Sequence, residues 1–194
     1  MATQDLSRFA PSLDRGRPRY VEAVWHVMNA LFFQSALPWP SALKRAILRL
    51  FGASVGTGVV IRSRTTIHMP WKLTIGDNSW IGFDCFLLNL EPIVIGTNCA
   101  ISHRVFLCTG NHDYRSATFD YVGAPISLQD EVWVGSQTFV GPGVTVNSRA
   151  VISAGSVVLA DQPTGMVCSG NPCTPQRERA GGRARPGDSA GTAP

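Results

Sequence analysis

The sequence predicts a parallel β-helix, a fold in which short strands coil around one apolar core. Three observations in this chain of 194 residues predict it: aliphatic residues recur every six positions, glycine often follows them, and small residues are common four positions later. The spacing fits neither a helix, with about 3.6 residues per turn, nor plain strand alternation, and it is typical of β-helix repeats. The spaced aliphatic positions are Val55, Ile61, Ile67, Ile75, Ile81, Leu87, Ile95, Ile101, Leu107, Leu128, Val134, Val140, Val146, Ile152 and Val158.

Each six-residue repeat is expected to form one short strand and one corner. The aliphatic side chain points inward and stacks on its equivalent in the next coil. The glycine that follows, such as Gly76 or Gly82, permits backbone angles that a Cβ would resist. A small residue such as Ser79 or Cys85 fills the inside of the corner. Because no coil can bury its own inner face, we expect stability to come from five stacked coils.

Two helices are predicted before the repeats begin, in an N-terminal segment of residues 1–52. The first spans residues 19 to about 37, where apolar residues recur at helical spacing, and it ends at the Pro-Trp-Pro of residues 38–40. The second begins with Ser41 as its N-cap and stops at Gly52.

The second helix carries Lys44, Arg45 and Arg49 beside an apolar stripe. This pattern suits either a cap over the open end of the β-helix or attachment to an anionic membrane surface. We favour the cap, because an uncovered first coil would expose its strand edges and its aliphatic stack. Membrane contact is then at most peripheral.

The repeats occupy residues 53–165 and are interrupted once. The interval from Ile95 to Leu128 is 33 residues, whereas one full coil takes 20, so 13 extra residues lie in an inserted loop at 108–125. His112 lies on this loop, in the sequence TGNHDY. A long, non-repetitive loop on a rigid scaffold is a common place for a functional site.

The composition indicates a globular protein with a disordered end. Hydrophobic residues make up 44% and charged residues 15% of the chain. Residues 166–179 form a C-terminal segment, and residues 180–194 are predicted to be a disordered tail. The net charge of +4 favours an anionic partner without identifying it, and no nucleic-acid partner is expected. The five cysteines include no CxxC pair and the N-terminus has no apolar signal region. We therefore expect a cytoplasmic location, which includes the inner face of a membrane.

Five stretches resemble the hexapeptide-repeat acyltransferases, and within that family the O-acetyltransferases of colanic-acid or exopolysaccharide type. The resemblance covers residues 19–179. It implies a left-handed β-helix, a homotrimer, and active sites in the clefts between neighbouring subunits. It also implies acetyl-CoA as co-substrate and a carbohydrate as acceptor. The stretches are LRLFGASVG (48–56), PWKLTIGD (70–77), ISHRVFLCTGNHDY (101–114), FVGPGVTV (139–146) and GNPCTPQRER (170–179).

The resemblance assigns expected roles to individual residues. His112 matches the catalytic histidine that the loop supplies. Departures from the family pattern at Ala160 and at the Thr174-Pro175 pair remove basic residues that would contact the phosphates of CoA. The residues expected to bind the acceptor are Asn89, Asn111, Asp113 and Tyr114, and those expected to bind CoA are Trp133, Ser136, Ala154, Arg177 and Arg179.

Histidine suits the chemistry of such a transfer. An alcohol must lose its proton as it attacks a thioester, and an imidazole with an unperturbed pKa of about 6.5 is neutral at cellular pH. As a general base, His112 could contribute roughly 10²–10⁴-fold. Asp113 or a backbone carbonyl could orient its ring. The alternative for His112 is an ordinary surface position, and the alternative for Asn89 is an internal asparagine in a ladder or turn.

No metal site is expected, because the spacing of the histidines does not match a convergent ligand set. His26, His68 and His103 are expected to be packing or surface residues, and Cys85 and Cys99 to be buried in corners. The sequence therefore predicts an acetyl-CoA-dependent O-acetyltransferase acting on a carbohydrate, an exopolysaccharide or capsule precursor. The alternatives are a non-catalytic β-helical scaffold trimer and an acetyltransferase for an amino sugar or a xenobiotic.

Overall fold

The six-residue repeats fold into strands of two or three residues, each followed by a tight corner. The structure is a computed structural model that describes residues 4–10 and 12–181. Its helical elements are a 3-10 turn (Leu6–Arg8), α1 (Arg19–Met28), a π-helical turn (Asn29–Gln34), α2 (Ser41–Leu50) and a second 3-10 turn (Pro70–Lys72). Its strands are β1 (Ser54–Val55), β2 (Val60–Ile61), β3 (Thr66–Ile67), β4 (Leu73–Ile75), β5 (Trp80–Ile81), β6 (Phe86–Leu88), β7 (Ile93–Ile95), β8 (Ala100–Ile101), β9 (Phe106–Cys108), β10 (Gly110–His112), β11 (Tyr121–Gly123), β12 (Ile126–Leu128), β13 (Trp133–Val134), β14 (Phe139–Val140), β15 (Thr145–Val146), β16 (Val151–Ile152), β17 (Val157–Val158), β18 (Met166–Gly170) and β19 (Cys173–Glu178).

The strands stack in parallel on three faces of a prism. Face A contains β1, β4, β7, β12 and β15; face B contains β2, β5, β8, β13, β16 and β18; face C contains β3, β6, β9, β14 and β17. Equivalent repeat positions lie in register, as Ile81 does with Ile101. All the spaced aliphatic side chains are at most 7% exposed. These observations confirm the predicted β-helix.

The β-helix has about six coils, one more than the five expected. The additional coil is completed on face B by β18, which pairs in parallel with β16 although its sequence no longer follows the six-residue repeat. β19 then turns back and pairs antiparallel with β18. The predicted disordered tail begins at residue 180, and residues 182–194 lie outside the described part of the chain.

The glycines after the aliphatic positions have a different role from the predicted one. Gly76 does not adopt a positive φ, and a Cβ there would come within 2.6 Å of the Gly96 backbone in the next coil. The expectation about backbone angles is therefore wrong, because close stacking is what requires the glycine. The left-handed conformation instead occurs three positions after the aliphatic residue, usually at residues other than glycine. These residues are Arg64, Asn78, Asp84, Asn98, Arg104, Glu131, Gln137 and Arg149.

The first N-terminal helix extends the core over the first coil. Its α-helical part ends at Met28, and a π-helical turn continues it to Gln34, three residues short of the predicted end. Trp25 and Phe33 are completely buried in the same cluster as the aliphatic residues of the coils. No helix of the described residues combines the length and the apolar character that a bilayer span requires.

The second helix covers the open edge of the first coil, as predicted for a cap. The Lys44 ammonium donates to the Arg62 carbonyl at 2.9 Å and is fully buried. Arg45 donates to the Val59 carbonyl at 2.7 Å. These bonds satisfy strand carbonyls that have no preceding coil to pair with.

Arg49 and Ser41 of this helix also bond to the first coil. Arg49 donates to the Val55 carbonyl at 2.7 Å and 2.9 Å, so all three basic side chains of α2 bind the first coil. Ser41 is the first helical residue rather than the N-cap, which is Pro40. The Ser41 hydroxyl accepts from the Ile61 backbone N–H at 3.1 Å, so the predicted cap is wrong because this hydroxyl bonds to the coil.

Candidate active site

The inserted loop forms a β-hairpin, residues 110–123, in which His112 lies opposite Tyr121. We call it the His112 hairpin. Thr109 fixes its base, since the buried hydroxyl donates to the Leu88 carbonyl at 2.8 Å and accepts from the Glu91 N–H at 2.9 Å. The Tyr121 hydroxyl donates to a Glu91 carboxylate oxygen at 3.2 Å. The hairpin is thus attached to the coil beneath it through the residue before its first strand and through Tyr121 of its second strand.

The His112 imidazole is held by Phe119, a residue on the same hairpin. Its Nδ1 lies 2.9 Å from the Phe119 carbonyl oxygen, and the two rings stack with their centroids 4.3 Å apart at an angle of 5°. A carbonyl can only accept, so Nδ1 carries the proton in this bond and Nε2 has the free lone pair. Phe119 adopts a φ of 52°, an uncommon conformation that belongs to the turn presenting this carbonyl.

The other loop residues of the prediction lie near His112 but have local roles. The Asn111 side chain accepts from the His112 backbone N–H at 2.8 Å. Asp113 does not orient the imidazole, because its carboxylate accepts from the Arg115 N–H at 2.9 Å and so closes the turn. Tyr114 is 74% exposed. Of the two orienting groups left open by the sequence, the structure therefore selects the backbone carbonyl.

Asn89 lies inside the β-helix and is unable to contact a sugar. Its side chain is completely buried. The amide oxygen accepts from the backbone N–H groups of His68 at 3.0 Å and Met69 at 2.9 Å, and the amide nitrogen donates to the Met69 carbonyl. The expectation that Asn89 binds the acceptor is wrong, because these bonds commit its amide to the turn of the neighbouring coil.

The five residues expected to bind CoA line one groove of about 630 Å³ on face B and the corner that follows it. Trp133 is 50% exposed and forms one wall. Its indole N–H donates to the Ser102 hydroxyl at 3.0 Å, which fixes the orientation of the ring. Ser102 was not predicted, although it occupies the same place in its coil as Gly135 and Ser153, which also line the groove.

The two arginines at the C-terminal end of this groove differ in their hydrogen bonds. The Nη1 group of Arg179 donates to the carbonyls of Glu131 at 2.9 Å and Arg149 at 3.0 Å. Arg177 is exposed on β19. Arg177 is consequently the better candidate for a phosphate contact, whereas Arg179 partly serves to attach the end of the chain to the corner.

The groove continues along face B toward the first coil. A second depression of about 320 Å³ shares Ser102, Trp133 and Ser136 with the first. It adds Trp80, which is 59% exposed, and Arg62 at its edge. The two depressions together form one surface channel with aromatic, hydroxyl and basic side chains.

The structure separates the predicted catalytic histidine from the predicted CoA residues. The His112 hairpin is inserted between β9 on face C and β12 on face A. The groove follows face B, and none of its lining residues belongs to the hairpin. A single chain therefore does not bring His112 and the groove together.

Other reactive side chains of the described residues are buried or scattered. Burial raises the pKa of the Cys85 thiol to about 11, and it also raises the pKa of Cys99 and Cys108. His103 is exposed, and its Nδ1 accepts from the Phe83 N–H at 3.1 Å. Within residues 4–10 and 12–181, no group of three or more histidine, cysteine or acidic side chains converges as metal ligands would.

Comparison with known proteins identifies the family. The family described as "Hexapeptide repeat of succinyl-transferase" matches residues 72–103 and 125–160, on either side of the His112 hairpin. The chain is 41% identical over 180 residues to WcaF of Escherichia coli K12, which is named as a colanic acid biosynthesis acetyltransferase, with 91% of this chain and 97% of WcaF covered. The chain belongs to the hexapeptide-repeat acetyltransferases.

Further relatives extend this result. This acetyltransferase is 29% identical over 150 residues to the galactoside O-acetyltransferase of E. coli K12, with 75% of this chain and 73% of that protein covered. It resembles the crystal structure of a hexapeptide-repeat acetyltransferase from Vibrio cholerae in complex with acetyl-CoA, with a TM-score of 0.76 and 25% identity over 84% of this chain and 89% of that one. The comparisons confirm the predicted family and fold.

Proposed function

We propose that this acetyltransferase transfers the acetyl group of acetyl-CoA to a hydroxyl of a carbohydrate, a precursor of an exopolysaccharide or capsule. The similarity to WcaF supports the substrate class. The similarity to a structure in complex with acetyl-CoA supports the donor. The observation that carries the chemical proposal is the free Nε2 of His112, whose Nδ1 bonds to the Phe119 carbonyl.

In this proposal the acyl donor supplies an activated thioester, and His112 handles the proton. Nε2 accepts the proton of the acceptor hydroxyl as its oxygen attacks the thioester carbonyl carbon. The carbon–sulfur bond breaks, and the imidazolium returns the proton to the departing thiolate. The Phe119 carbonyl stabilises the imidazolium and keeps the ring in one orientation. Transfer is direct, without an acyl-enzyme.

The groove on face B suits both substrates. Arg177 at its C-terminal end is suited to the phosphates of the donor, so the thioester would lie toward Trp133 and Ser102. The remaining part of the channel, with Trp80 and Arg62, would then receive the acceptor. Exposed indole rings provide apolar faces on which sugar rings can pack.

We further propose that the sites form between subunits of a homotrimer. The His112 hairpin and the groove lie at different corners of the prism, so the hairpin of one copy can approach the groove of the next. Contacts between two different surfaces of the same chain close into a ring when the rotation permits it. Membrane contact is at most peripheral, since the basic side chains of α2 bind the first coil.

The test is His112→Ala, assayed with acetyl-CoA against a panel of nucleotide sugars and lipid-linked glycans. We expect kcat to fall about 10²-fold or more while calorimetric binding of acetyl-CoA is retained. Near-normal turnover would remove His112 as the base. If acetyl-CoA neither binds nor protects the wild-type protein against thermal unfolding, the non-catalytic scaffold becomes the better interpretation.

A further inference from the structure

The N-terminal segment of the chain lies against the His112 hairpin. The Asp5 backbone N–H donates to the Ala117 carbonyl at 2.8 Å, which joins the segment to the tip of the hairpin. The Asp5 carboxylate accepts from the Ser7 N–H at 3.1 Å and from its hydroxyl at 2.6 Å, and so holds the 3-10 turn Leu6–Arg8. The segment is therefore ordered by its own side chains where it meets the hairpin.

The same segment is attached again further along the chain. The Trp71 indole N–H donates to the Arg15 carbonyl at 2.7 Å, and the Lys72 ammonium donates to the Asp14 carbonyl at 2.5 Å. Both donors belong to the 3-10 turn that precedes β4. Residues 5–10 and 12–15, which we call the N-terminal strap, are thus held at both ends against the β-helix.

The strap places Phe9 next to the His112 imidazole. The two ring centroids are 5.5 Å apart at an angle of 60°. Phe119 stacks on the imidazole at 4.3 Å, and Tyr121 meets it edge-on at 6.1 Å. Three aromatic rings therefore surround one imidazole, and only one of them, Phe9, comes from outside the hairpin.

Ring placement decides which nitrogen of His112 is available. Rotation of the imidazole about its χ2 angle would break the bond from Nδ1 to the Phe119 carbonyl and move Nε2 away from the position that it presents to an acceptor. The stacked ring of Phe119 opposes this rotation on one face of the imidazole only. The inclined ring of Phe9 limits that movement from a different direction.

We propose that Phe9 is a positioning residue, which holds the His112 imidazole so that Nε2 alone is presented to the acceptor, and that the N-terminal strap exists to deliver it. The inference rests on the proposed role of His112 as general base. It assigns an active-site task to a residue more than 100 positions away in the sequence.

The kinetic test compares three variants of the full chain. Phe9→Ala should lower kcat about tenfold, since small losses of alignment are costly in proton transfer, with the KM for acetyl-CoA unchanged. Phe9→Tyr keeps the ring and should retain kcat within about twofold. Leu6→Ala changes a residue that is 59% exposed, in the turn that directly precedes Phe9, and is the matched control. Equal kcat in Phe9→Ala and Leu6→Ala would overturn the proposal.

A second readout does not depend on turnover. Two-dimensional ¹H–¹⁵N spectra of the histidine rings at pH 8, with His112→Gln used for assignment, report which ring nitrogen carries the proton. We expect only the Nδ1–H tautomer of His112 in the wild type and in Leu6→Ala, and a mixture of both tautomers in Phe9→Ala. An unchanged tautomer in Phe9→Ala would refute the positioning role even if activity had fallen. If His112→Ala were fully active but Phe9→Ala still changed the tautomer of His112, the proposed role of His112 as the base would be wrong. The positioning of its ring by Phe9 would still be supported.

Discussion

At the scale of single residues, the buried amide of Asn89 gives the sharpest stability prediction. It makes three hydrogen bonds to the backbone of the turn at residues 68–69. Asn89→Ala leaves the buried Met69 N–H unpaired, whereas the His68 N–H keeps the Leu87 carbonyl and the Met69 carbonyl keeps the Lys72 N–H. The substitution should lower the free energy of unfolding by about 1–3 kcal/mol, measured by urea denaturation. Asn111→Ala, on the exposed hairpin, is the control and should leave stability unchanged. A raised KM for the acceptor with wild-type stability would restore Asn89 as a substrate ligand.

The distribution of glycine gives a second prediction at this scale. Gly76→Ala places a Cβ 2.6 Å from the backbone of the next coil, so the coils must separate locally. We expect a loss of about 1–3 kcal/mol in the free energy of unfolding. Asn78→Gly, at a φ of 57°, replaces a residue in the left-handed conformation and should cost far less. Equal losses in thermal denaturation of the two variants would contradict the steric explanation.

At the scale of secondary-structure elements, α2 covers the first coil, and its basic side chains donate hydrogen bonds to the carbonyls of that coil. Lys44→Met keeps the apolar stem of the side chain but removes its bond to the Arg62 carbonyl. We expect the free energy of unfolding to fall by about 1–3 kcal/mol, because the buried Arg62 carbonyl loses a charge-assisted hydrogen bond and keeps only the one from the Thr65 hydroxyl. Leu50→Ala, at an exposed position on the same helix, should have little effect.

Complete removal of the N-terminal helices is the stronger version of this test. Deletion of residues 1–52 exposes the edge of the first coil and should cause aggregation, which light scattering would detect. A truncated protein that does not aggregate and remains active, but no longer sediments with anionic vesicles, would show that the helices bind a membrane instead of capping the coil.

The contact between α1 and the strand edge at His68 should make stability depend on pH. Burial lowers the pKa of His68, and the neighbouring His26 lowers it further, their rings being 6.0 Å apart. The folded state therefore holds this imidazole neutral while the unfolded chain takes up a proton. Stability should be highest above pH about 6.5, the usual histidine value, and should fall as the pH drops below it.

Urea midpoints measured from pH 7.5 to pH 5.5 test this dependence. His68→Gln should flatten the decline, whereas Val24→Thr, an exposed change on α1, should leave it as it is. An identical decline in His68→Gln and the wild type would assign the pH effect to other groups.

At the scale of the whole molecule, the proposed trimer predicts complementation between inactive subunits. Ser136→Trp blocks the groove and His112→Ala removes the base, so each variant alone should be inactive. Random mixing of equal amounts after dissociation should restore about a quarter of wild-type activity. Each site takes its hairpin and its groove from different subunits, and in about a quarter of the sites both are intact. Each variant mixed with itself is the control. Trimers of the expected mass without regained activity would argue that the site is confined to one chain.

The stack of coils could be predicted from the sequence because burial there depends only on a residue's position within the six-residue repeat. Ile101 and Leu107 are inside since they fall on the six-residue spacing, whatever the rest of the chain does. The partner of His112 could not be predicted in this way, because the Phe119 carbonyl is a backbone group with no signature of its own. Phe9 reaches the hairpin only through the path of the N-terminal strap, which no local pattern encodes.

Other errors have an equally physical origin. Asn89 matches a motif that resembles an acceptor contact, but a match does not reveal that its amide faces the interior. The basic residues of α2 are compatible with lipid phosphates or with strand carbonyls, since both accept hydrogen bonds from cations. Only the position of the helix over Val59 and Arg62 distinguishes the two.

The stacking of β7 on β12 is continuous across the hairpin that separates them in the chain. Ile93 pairs with Ile126 and Ile95 with Leu128, as though the intervening residues were absent. A change in the length or sequence of the hairpin need not alter the register of any coil. Hairpins of other lengths, grafted between positions 109 and 124, should for the same reason leave the stacking of the coils intact.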